Sequence, residues 1–370
     1  MSGNFVQRGD IAILDKYSRC EMALKNGADL VLELPVRFAL SSAEGFASAA
    51  VKLLKSAGCN MLGFGAETDS AEKLCILAGF LSSEEFRIAV KTAEAKNLPF
   101  PAIREKIIKE KLGDELAELI KTPNNILAVE YIKAIIMLKA DMEPVAVKRL
   151  GADHDDPGAN NNIASASFVR MLINENKAFE SYVPESCSEI IRSRMSEMSM
   201  PADIKNLERG ILAFFRTASP AYLQHVPGIS EGLENKLIEE SQSSSSLAEL
   251  CEKVKSKRYT LSRIRRLVLC AYLGITDAEK DSDSMSLEAY VEKYCPYLRL
   301  LGMNSEGREI LSSKSNTLPI VTSYADAVKQ GSSAVEAYRF EAACDAVYSL
   351  CLPKPGSGKE YYTHKLVALK

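Results

Sequence analysis

Three residues at the ends of predicted elements have the side-chain chemistry that a phosphate-bearing ligand needs. Gly65 follows the apolar run at 59–64, Asn124 opens a long apolar segment, and Arg149 ends the run at 144–149. A glycine lets a nucleotide approach the backbone, a carboxamide both donates and accepts, and a guanidinium forms paired hydrogen bonds with phosphate. Each residue also has an ordinary structural interpretation. Gly65 could be a turn glycine, Asn124 could make a local capping interaction, and Arg149 could form a surface ion pair.

A second candidate phosphate contact lies at the start of another predicted helix. The segment 164–170 reads Ala-Ser-Ala-Ser-Phe-Val-Arg, and it places the hydroxyl of Ser167 one turn before Arg170. Hydroxyls and backbone amides at a helix start, assisted by an arginine, are suited to nucleotide phosphates. On the residues alone, a serine-capped surface helix is the favoured interpretation.

Residues 253–266 form the most basic stretch of the chain, with seven Lys or Arg and no acidic residue. The apolar spacing after Thr260 predicts a helix with one core face, which leaves Arg263 and Arg266 one turn apart on another face. We expect these basic side chains, together with Tyr259, to contact an RNA backbone. The alternative is a solvated helix face. The candidate RNA-binding residues are Lys257, Arg258, Arg263 and Arg266.

Composition excludes several classes of protein. A net charge of −3 over 370 residues gives no general attraction to nucleic acid, so RNA affinity has to come from a local surface. Nine scattered cysteines without a C-x-x-C pair and only three histidines argue for reduced thiols and against structural zinc. The run 153–156 (Asp-His-Asp-Asp) reads as a solvated turn and 356–360 lacks P-loop spacing, so no metal site is predicted. With neither a signal peptide nor a long apolar run, the protein is expected to be cytoplasmic.

Short apolar runs alternate with helix-length segments from residue 27 to about 170, which predicts an α/β fold with a parallel sheet. Strands are expected at 29–34, 59–64 and 144–149. Helices are expected at 16–26 and 42–56 and through most of 71–140, where the apolar helix 124–138 directs its N-terminus toward the site.

The remaining sequence predicts mainly helices. Ser230 is expected to cap a helix through Ile238, the serine run 241–246 reads as a loop, and Ser246 with Glu249 forms a capping box. One short strand is expected at 318–321. We divide the chain into a nucleotide-binding domain at 1–178, a connector at 179–206, a helical RNA-binding region at 207–278 and a mainly helical C-terminal region at 287–370.

The opening sequence carries three long motifs. They are Met-Ser-Gly-Asn-Phe-x-Gln-Arg-Gly at 1–9, Lys-x-x-Arg-x-x-Met-Ala-Leu at 16–24 and Gly-Ala-Asp-Leu-Val-x-Glu-Leu-Pro at 27–35. The chain thereby resembles the bacterial tRNA(Met) cytidine acetate ligase family, and segment 164–170 partly resembles a nucleotidyltransferase signature. In that family the first motif follows a strand, a histidine-containing loop, a helix and a second strand, and we expect this unit to be missing here.

The resemblance implies a Rossmann-like nucleotidyltransferase domain, with ATP contacts at Gly65, Asn124 and Arg149 and phosphate contacts at Ser167 and Arg170. It implies an ATP-dependent ligase, with Mg²⁺ beside the ATP, that makes acetyl-adenylate and transfers acetyl to N4 of the wobble cytidine of elongator tRNA(Met). Two alternatives stay open: a generic nucleotidyltransferase, and a catalytically impaired tRNA-binding fragment. The sequence identifies neither a general base nor the oligomeric state.

Overall fold

The computed structural model describes residues 1–94, 100–149, 164–277, 285–312 and 316–369. The predicted turn at 153–156 lies outside these residues. The elements up to residue 149 are β1 (Phe5–Val6), β2 (Asp10–Ile11), α1 (Lys16–Lys25), β3 (Leu30–Leu32), α2 (Val36–Ala39), α3 (Ala43–Ser56), β4 (Met61–Ala66), α4 (Ala71–Leu81), α5 (Glu84–Glu94), α6 (Phe100–Leu112), α7 (Asp114–Leu119), α8 (Pro123–Met137) and β5 (Glu143–Lys148).

The elements after residue 163 are mostly helices. They are α9 (Ala166–Asn174), α10 (Glu185–Ser196), α11 (Glu208–Thr217), α12 (Pro220–Gln224), α13 (Leu233–Ser243), α14 (Leu247–Val254), α15 (Leu261–Tyr272), α16 (Leu287–Tyr294), β6 (Leu298–Met303), α17 (Ser305–Ser312), β7 (Ile320–Val321), α18 (Tyr324–Gln330), α19 (Ser332–Ser349), α20 (Glu360–Thr363) and β8 (Val367–Ala368). Short 3₁₀ helices occur at Glu180–Tyr182 and Ile204–Leu207. No helix of the described residues is both long and apolar enough to cross a membrane.

Strands β4 and β5 pair in parallel, as the α/β pattern predicts. Along β4 the side chains alternate, so that Leu62 and Phe64 are buried while Met61 is exposed. The buried face packs on α3, α4 and α8 in one apolar core. The sheet therefore has one covered face and presents its carboxyl ends beside the start of α8.

The prediction that strand 29–34 joins this parallel sheet is wrong. β3 pairs instead in antiparallel with β6, and β6 also pairs in parallel with β7 and β8. Residues 298–301 of β6 are all buried, which is typical of a central strand, and the sequence analysis missed this strand. The first and last predicted regions thus share a sheet, and the domain boundaries stay a prediction.

Most helix predictions are confirmed, with small shifts at the ends. α1, α3 and α8 lie where capping residues and apolar spacing place them, and the Ser42 side chain accepts the amide of Gly45 at the start of α3. The helix expected from Ser230 begins later, at Leu233, because Gly232 adopts φ +83 in the preceding turn. That helix also continues into the serine run, and Ser246 then caps α14.

The hairpin of β1 and β2 packs into the helical region rather than onto β4 or β5. Phe5 and Ile11 are buried in the apolar core formed by α11 to α15. At its turn, Gly9 has φ +71, and a Cβ built there would lie 2.4 Å from the backbone nitrogen of Arg266. The N-terminal segment is therefore seated directly on α15.

A buried charged cluster joins the same N-terminal segment to α19. The Lys16 ammonium lies 2.6 Å from Glu33 Oε1 and 2.9 Å from Asp345 Oδ2, and its side chain is fully buried. Asn4 Nδ2 donates to Asp345 Oδ1 at 3.1 Å. Glu341 Oε1 accepts the backbone N–H of Val36 at 2.9 Å. Residues far apart in the chain are thus held together by buried ion pairs and hydrogen bonds.

Candidate functional site

The carboxyl ends of β4 and β5 bring Gly65 and Arg149 together. Gly65 is the second-last residue of β4 and pairs with Val147, so it is a strand residue and not a turn glycine. The backbone N–H of Arg149 donates to the carbonyl of Ala66 at 2.9 Å. The Arg149 side chain runs past Gly65, with Cγ 3.6 Å from the position that a Cβ would take there. Arg149 is exposed and makes no ion pair with the described residues, so the surface ion pair considered above is not formed there.

Glu67 connects this edge of the sheet to the start of α8. Its carboxylate accepts hydrogen bonds from Asn124 Nδ2 at 2.6 Å, from Thr122 Oγ1 at 2.9 Å and from the backbone N–H of Asn125 at 2.8 Å. In return, Asn125 Oδ1 accepts the backbone N–H groups of Glu67 and Thr68 at 2.9 and 3.2 Å. Asn124 therefore lies at the same edge as Gly65 and Arg149.

The first backbone amides of α8 are not free for an anionic ligand, because those of Asn124 and Asn125 donate to Glu67. Glu67 supplies a carboxylate to that helix N-terminus, where the helix dipole favours negative charge. Burial alone would raise the pKa of Glu67, but the hydrogen bonds from Asn124, Thr122 and Asn125 outweigh it and lower that pKa. Asn124 Oδ1 makes no hydrogen bond within the described residues, so this oxygen is available to a donor on a ligand.

The sequence analysis missed Glu67 and Asn125. The available signal was local on each side: a polar Glu-Thr-Asp directly after an apolar strand, and a Pro-Asn-Asn helix start. Neither pattern reveals that the two segments meet, because the contact joins residues nearly sixty positions apart. Glu67 and Asn125 hold the two segments together. Because Glu67 accepts a hydrogen bond from Asn124 Nδ2, it also fixes the orientation of the Asn124 amide plane.

Ser167 and Arg170 lie together in α9, as predicted. Ser165 caps the helix by accepting the backbone N–H of Phe168, and Arg170 Nη2 donates to Ser167 Oγ at 3.0 Å. Burial lowers the pKa of Arg170, and the nearby positive charge of Arg8 lowers it further. No described hydrogen bond joins α9 to β4 or β5. Within the described residues, Arg170 is thus a neighbour of the first hairpin.

The basic stretch is arranged differently from the expected exposed face. Arg266 is half-buried, and its Nη1 donates to the carbonyl of Gln7 at 3.3 Å, so it holds the first hairpin. Tyr259 is buried and donates its hydroxyl to the carbonyl of Ser230, so the expectation that it contacts an RNA backbone is wrong. The Arg263 guanidinium lies 4.5 Å from the centre of the Tyr259 ring.

The other basic candidates stay at the surface. Lys257 is exposed and unpaired among the described residues, and Arg258 forms an ion pair with Glu231. Arg265, which was not singled out, is also exposed. Across the described residues, no group of three or more His, Cys, Asp or Glu side chains is arranged to hold a metal ion.

Comparison with known proteins places this geometry in context. The profile of the HIGH Nucleotidyl Transferase family matches residues 1–361. The tRNA(Met) cytidine acetate ligase of Caldanaerobacter subterraneus subsp. tengcongensis is 36% identical over 381 residues, covering 100% of this chain and 91% of the relative. The protein of the same name from Thermoanaerobacter sp. is 34% identical over 378 residues, with the same coverage.

Solved structures agree with the sequence matches. The apo crystal structure of Thermotoga maritima TmcAL superposes with a TM-score of 0.91 at 31% identity, covering 100% of this chain and 91% of that chain. A second crystal form of that protein, bound with alpha-thio ATP, gives a TM-score of 0.89 at 30% identity and the same coverage. The matches run over the whole of this chain and over 91% of the relatives' own length.

Fold and family profile together define the class, which is a nucleotidyltransferase-like α/β protein. Within that class, the chain belongs to the tRNA(Met) cytidine acetate ligase family. The family and the fold class predicted from the sequence are both confirmed. The roles of individual residues stay predictions.

Proposed function

We propose that this protein uses ATP to activate acetate and then acetylates N4 of the wobble cytidine of elongator tRNA(Met). The observation that carries the proposal is the meeting of Gly65, Asn124 and Arg149 at one edge of the β4–β5 sheet. Strand ends of this kind are where α/β folds bind nucleotides. The names of the relatives and the ATP analogue bound to Thermotoga maritima TmcAL support the same substrates.

The reaction has two balanced steps. An acetate oxygen attacks the α-phosphorus of ATP, pyrophosphate leaves, and acetyl-adenylate forms. The cytidine N4 then attacks the acetyl carbonyl, an N–C bond forms, AMP leaves, and N4 loses a proton. Arg149 is suited to stabilising charge on the phosphate during the first step, because its fork donates two hydrogen bonds. Mg²⁺ would accompany the ATP, and the cytoplasm is the expected location.

Acetate-dependent exchange of pyrophosphate into ATP tests the first step directly. Purified protein should exchange label only when acetate is present, and adding tRNA(Met) should yield N4-acetylcytidine. Exchange without any acetate requirement would favour a generic nucleotidyltransferase. Binding of tRNA(Met) without exchange would favour the impaired fragment. Either result would contradict the proposed reaction.

Gly65 and Arg149 allow a sharper test of the site. A methyl group at Gly65 meets only ordinary van der Waals contact, so Gly65→Ala should leave the free energy of unfolding unchanged. If a nucleotide approaches this backbone, the same change should raise the KM for ATP about tenfold. Arg149→Ala should lower kcat/KM for exchange by about 10²-fold.

Lys148→Ala is the matched control for the arginine variant. Lys148 is the preceding residue, is exposed, and has only a surface ion pair with Asp69 at 3.4 Å. This variant should keep the exchange rate of the parent protein. Equal effects at Lys148 and Arg149 would argue against a specific phosphate contact.

We further propose that Lys257 and Arg263 contact the tRNA backbone. Both belong to the basic stretch, and neither forms an ion pair with the described residues. Replacing both with Ala should weaken tRNA binding and flatten its dependence on salt concentration. Unchanged binding would remove this part of the proposal. Arg266 is less suitable for the test, because its loss would also release the first hairpin.

A further inference from the structure

Glu67 decides which atom of the Asn124 carboxamide is left for a ligand. Glu67 Oε1 accepts from Asn124 Nδ2 at 2.6 Å and from the backbone N–H of Asn124 at 3.3 Å. Its Oε2 accepts from Thr122 Oγ1 at 2.9 Å and from the backbone N–H of Asn125 at 2.8 Å. Each carboxylate oxygen thus has two donors, which fills the hydrogen-bonding capacity of the group.

An ionised carboxylate can only accept hydrogen bonds, so the nitrogen of the Asn124 side chain has to point toward Glu67. These hydrogen bonds lower the pKa of Glu67 in spite of its burial, which keeps the carboxylate ionised at neutral pH. Turning the carboxamide round would place Asn124 Oδ1 against a negatively charged oxygen. Asn124 Oδ1 is therefore held away from Glu67, and no residue in the described part of the chain donates to it.

The neighbouring Asn125 uses the same kind of side chain in the opposite way. It is buried, and its Oδ1 accepts the backbone N–H groups of Glu67 and Thr68 at 2.9 and 3.2 Å. The oxygen of Asn125 is thus occupied by the loop after β4, whereas the oxygen of the half-buried Asn124 is not. Two consecutive asparagines at the start of α8 therefore have separate roles: one holds the loop and the other presents an acceptor.

We propose that Glu67 is a positioning residue that makes Asn124 an acceptor for an N–H or O–H group of the nucleoside of ATP, and not a contact for its phosphates. Phosphate and acetate oxygens only accept, so they would face Asn124 Oδ1 without a proton between them. Arg149, which only donates, is the suitable phosphate contact at this edge. The inference rests on the proposed function, because it takes Asn124 as part of the ATP site. The nucleoside offers two kinds of donor, the adenine amine and the ribose hydroxyls.

Equilibrium binding of ATP analogues to the full chain distinguishes these donors. Purine riboside triphosphate has a hydrogen in place of the adenine amine, and 2′-deoxy-ATP and 3′-deoxy-ATP each lack one ribose hydroxyl. The analogue without the donor should bind the parent protein about tenfold more weakly than ATP, because the acceptor is left unpaired. Asn124→Ala should bind this analogue as well as it binds ATP, since the acceptor is gone.

Glu67→Gln tests the positioning role. Glutamine can accept the backbone N–H of Asn125 only through its oxygen, so its nitrogen should face Asn124 and turn that carboxamide round, with Nδ2 toward the ligand. Inosine triphosphate and the 2′-fluoro and 3′-fluoro analogues of ATP carry an acceptor where ATP carries a donor. The parent's preference for ATP over the matching analogue should fall about tenfold in Glu67→Gln.

Asp69→Asn is the matched control for Glu67→Gln. It also removes one negative charge from the loop after β4, but Asp69 is exposed and pairs with Lys148 instead of α8. Asp69→Asn should keep the parent's preference among the analogues. Thermal unfolding checks the fold of each variant. Asn124→Ala leaves the hydrogen bonds from Thr122 and Asn125 to Glu67 in place, so it decides the outcome if Glu67→Gln does not fold.

The proposal is overturned if no analogue discriminates between the parent protein and Asn124→Ala. An equal loss of affinity for ATP and every analogue in Glu67→Gln would also overturn it, because that result indicates a structural role alone. Failure of the proposed function would appear differently, as absence of acetate-dependent exchange in the parent protein. Nucleotide binding does not require acetate, so the analogues still decide the role of Glu67 in that case. A parent protein without measurable affinity for ATP would overturn both proposals.

Discussion

Replacing Lys16 with Met tests whether the buried charged cluster fixes the N-terminal segment. The Lys16 ammonium is fully buried and contacts two carboxylates, those of Glu33 and Asp345, at 2.6 and 2.9 Å. It also lies 4.1 Å from the centre of the Tyr361 ring. Methionine keeps most of the side-chain volume but leaves both carboxylates buried without their cation, which is far costlier than losing an exposed pair.

Removing one partner of a buried ion pair costs about 3–5 kcal/mol in the free energy of unfolding. The same helix provides a matched control, because Lys25 near the other end of α1 pairs with Glu21 at 3.0 Å on the surface. Lys25→Met should cost only about 0.3–0.5 kcal/mol, as expected of exposed pairs four residues apart. The predicted difference between two lysines of one helix is therefore about tenfold in energy.

Urea unfolding followed by far-UV circular dichroism and tyrosine fluorescence measures both values, since the chain has 14 tyrosines and no tryptophan. A triple variant, Lys16→Met with Glu33→Gln and Asp345→Asn, should recover much of the loss because no unpaired charge stays buried. The reasoning is refuted if Lys16→Met costs no more than Lys25→Met. It is also refuted if the triple variant is less stable than Lys16→Met alone.

Two further predictions concern Gly9 in the first hairpin and Glu341 in α19. Gly9→Ala should destabilise the protein more than Gly27→Ala. Both glycines have positive φ, which costs about 1–2 kcal/mol for alanine, but only Gly9 touches another backbone segment. Equal losses of stability in urea unfolding would contradict this prediction. Burial, reinforced by the nearby charge of Glu33, raises the pKa of Glu341 to about 8. In the folded state the Glu341 carboxyl therefore keeps its proton up to about pH 8, whereas in the unfolded state it loses the proton above its ordinary pKa of about 4.5. The free energy of unfolding consequently falls as pH rises between these two values. Glu341→Gln, which keeps an acceptor for Val36, should flatten this decline, and an unchanged pH dependence of unfolding would refute it.

Local signals in the sequence were sufficient for most helices and for the candidate residues at the sheet edge. Ser42 caps α3, proline opens α8, and positive φ at Gly27 ends α1, so each boundary depends on residues within one turn. Gly65 and Arg149 were each placed at the end of a predicted strand, and parallel strands deliver their carboxyl ends to one edge of a sheet. Such predictions succeed because the physical cause lies within a few residues.

The predictions that failed depended on contacts between distant segments. β6 is a short apolar run whose pairing with β3 joins opposite ends of the chain, and nothing near residue 300 indicates that partner. Helical periodicity correctly assigned the buried face of α15, but it did not predict that Arg266 turns inward to the first hairpin. Glu67 and Asn125 were missed for the same reason, since each satisfies hydrogen bonds that only the folded chain brings together.

The first hairpin connects α15, which carries part of the basic stretch, to α19. Its apolar residues Phe5 and Ile11 lie in the core beneath α15, while Asn4, one residue before β1, binds Asp345 of α19. Transfer of acetyl to a cytidine amine demands that the activated acid and the RNA be held to within fractions of an ångström. The close contact of Gly9 with the α15 backbone and the buried charged cluster around Lys16 leave the N-terminal segment little room to move. The contacts that stabilise the N-terminal segment therefore also hold α15, the helix proposed to face the tRNA, in a fixed position.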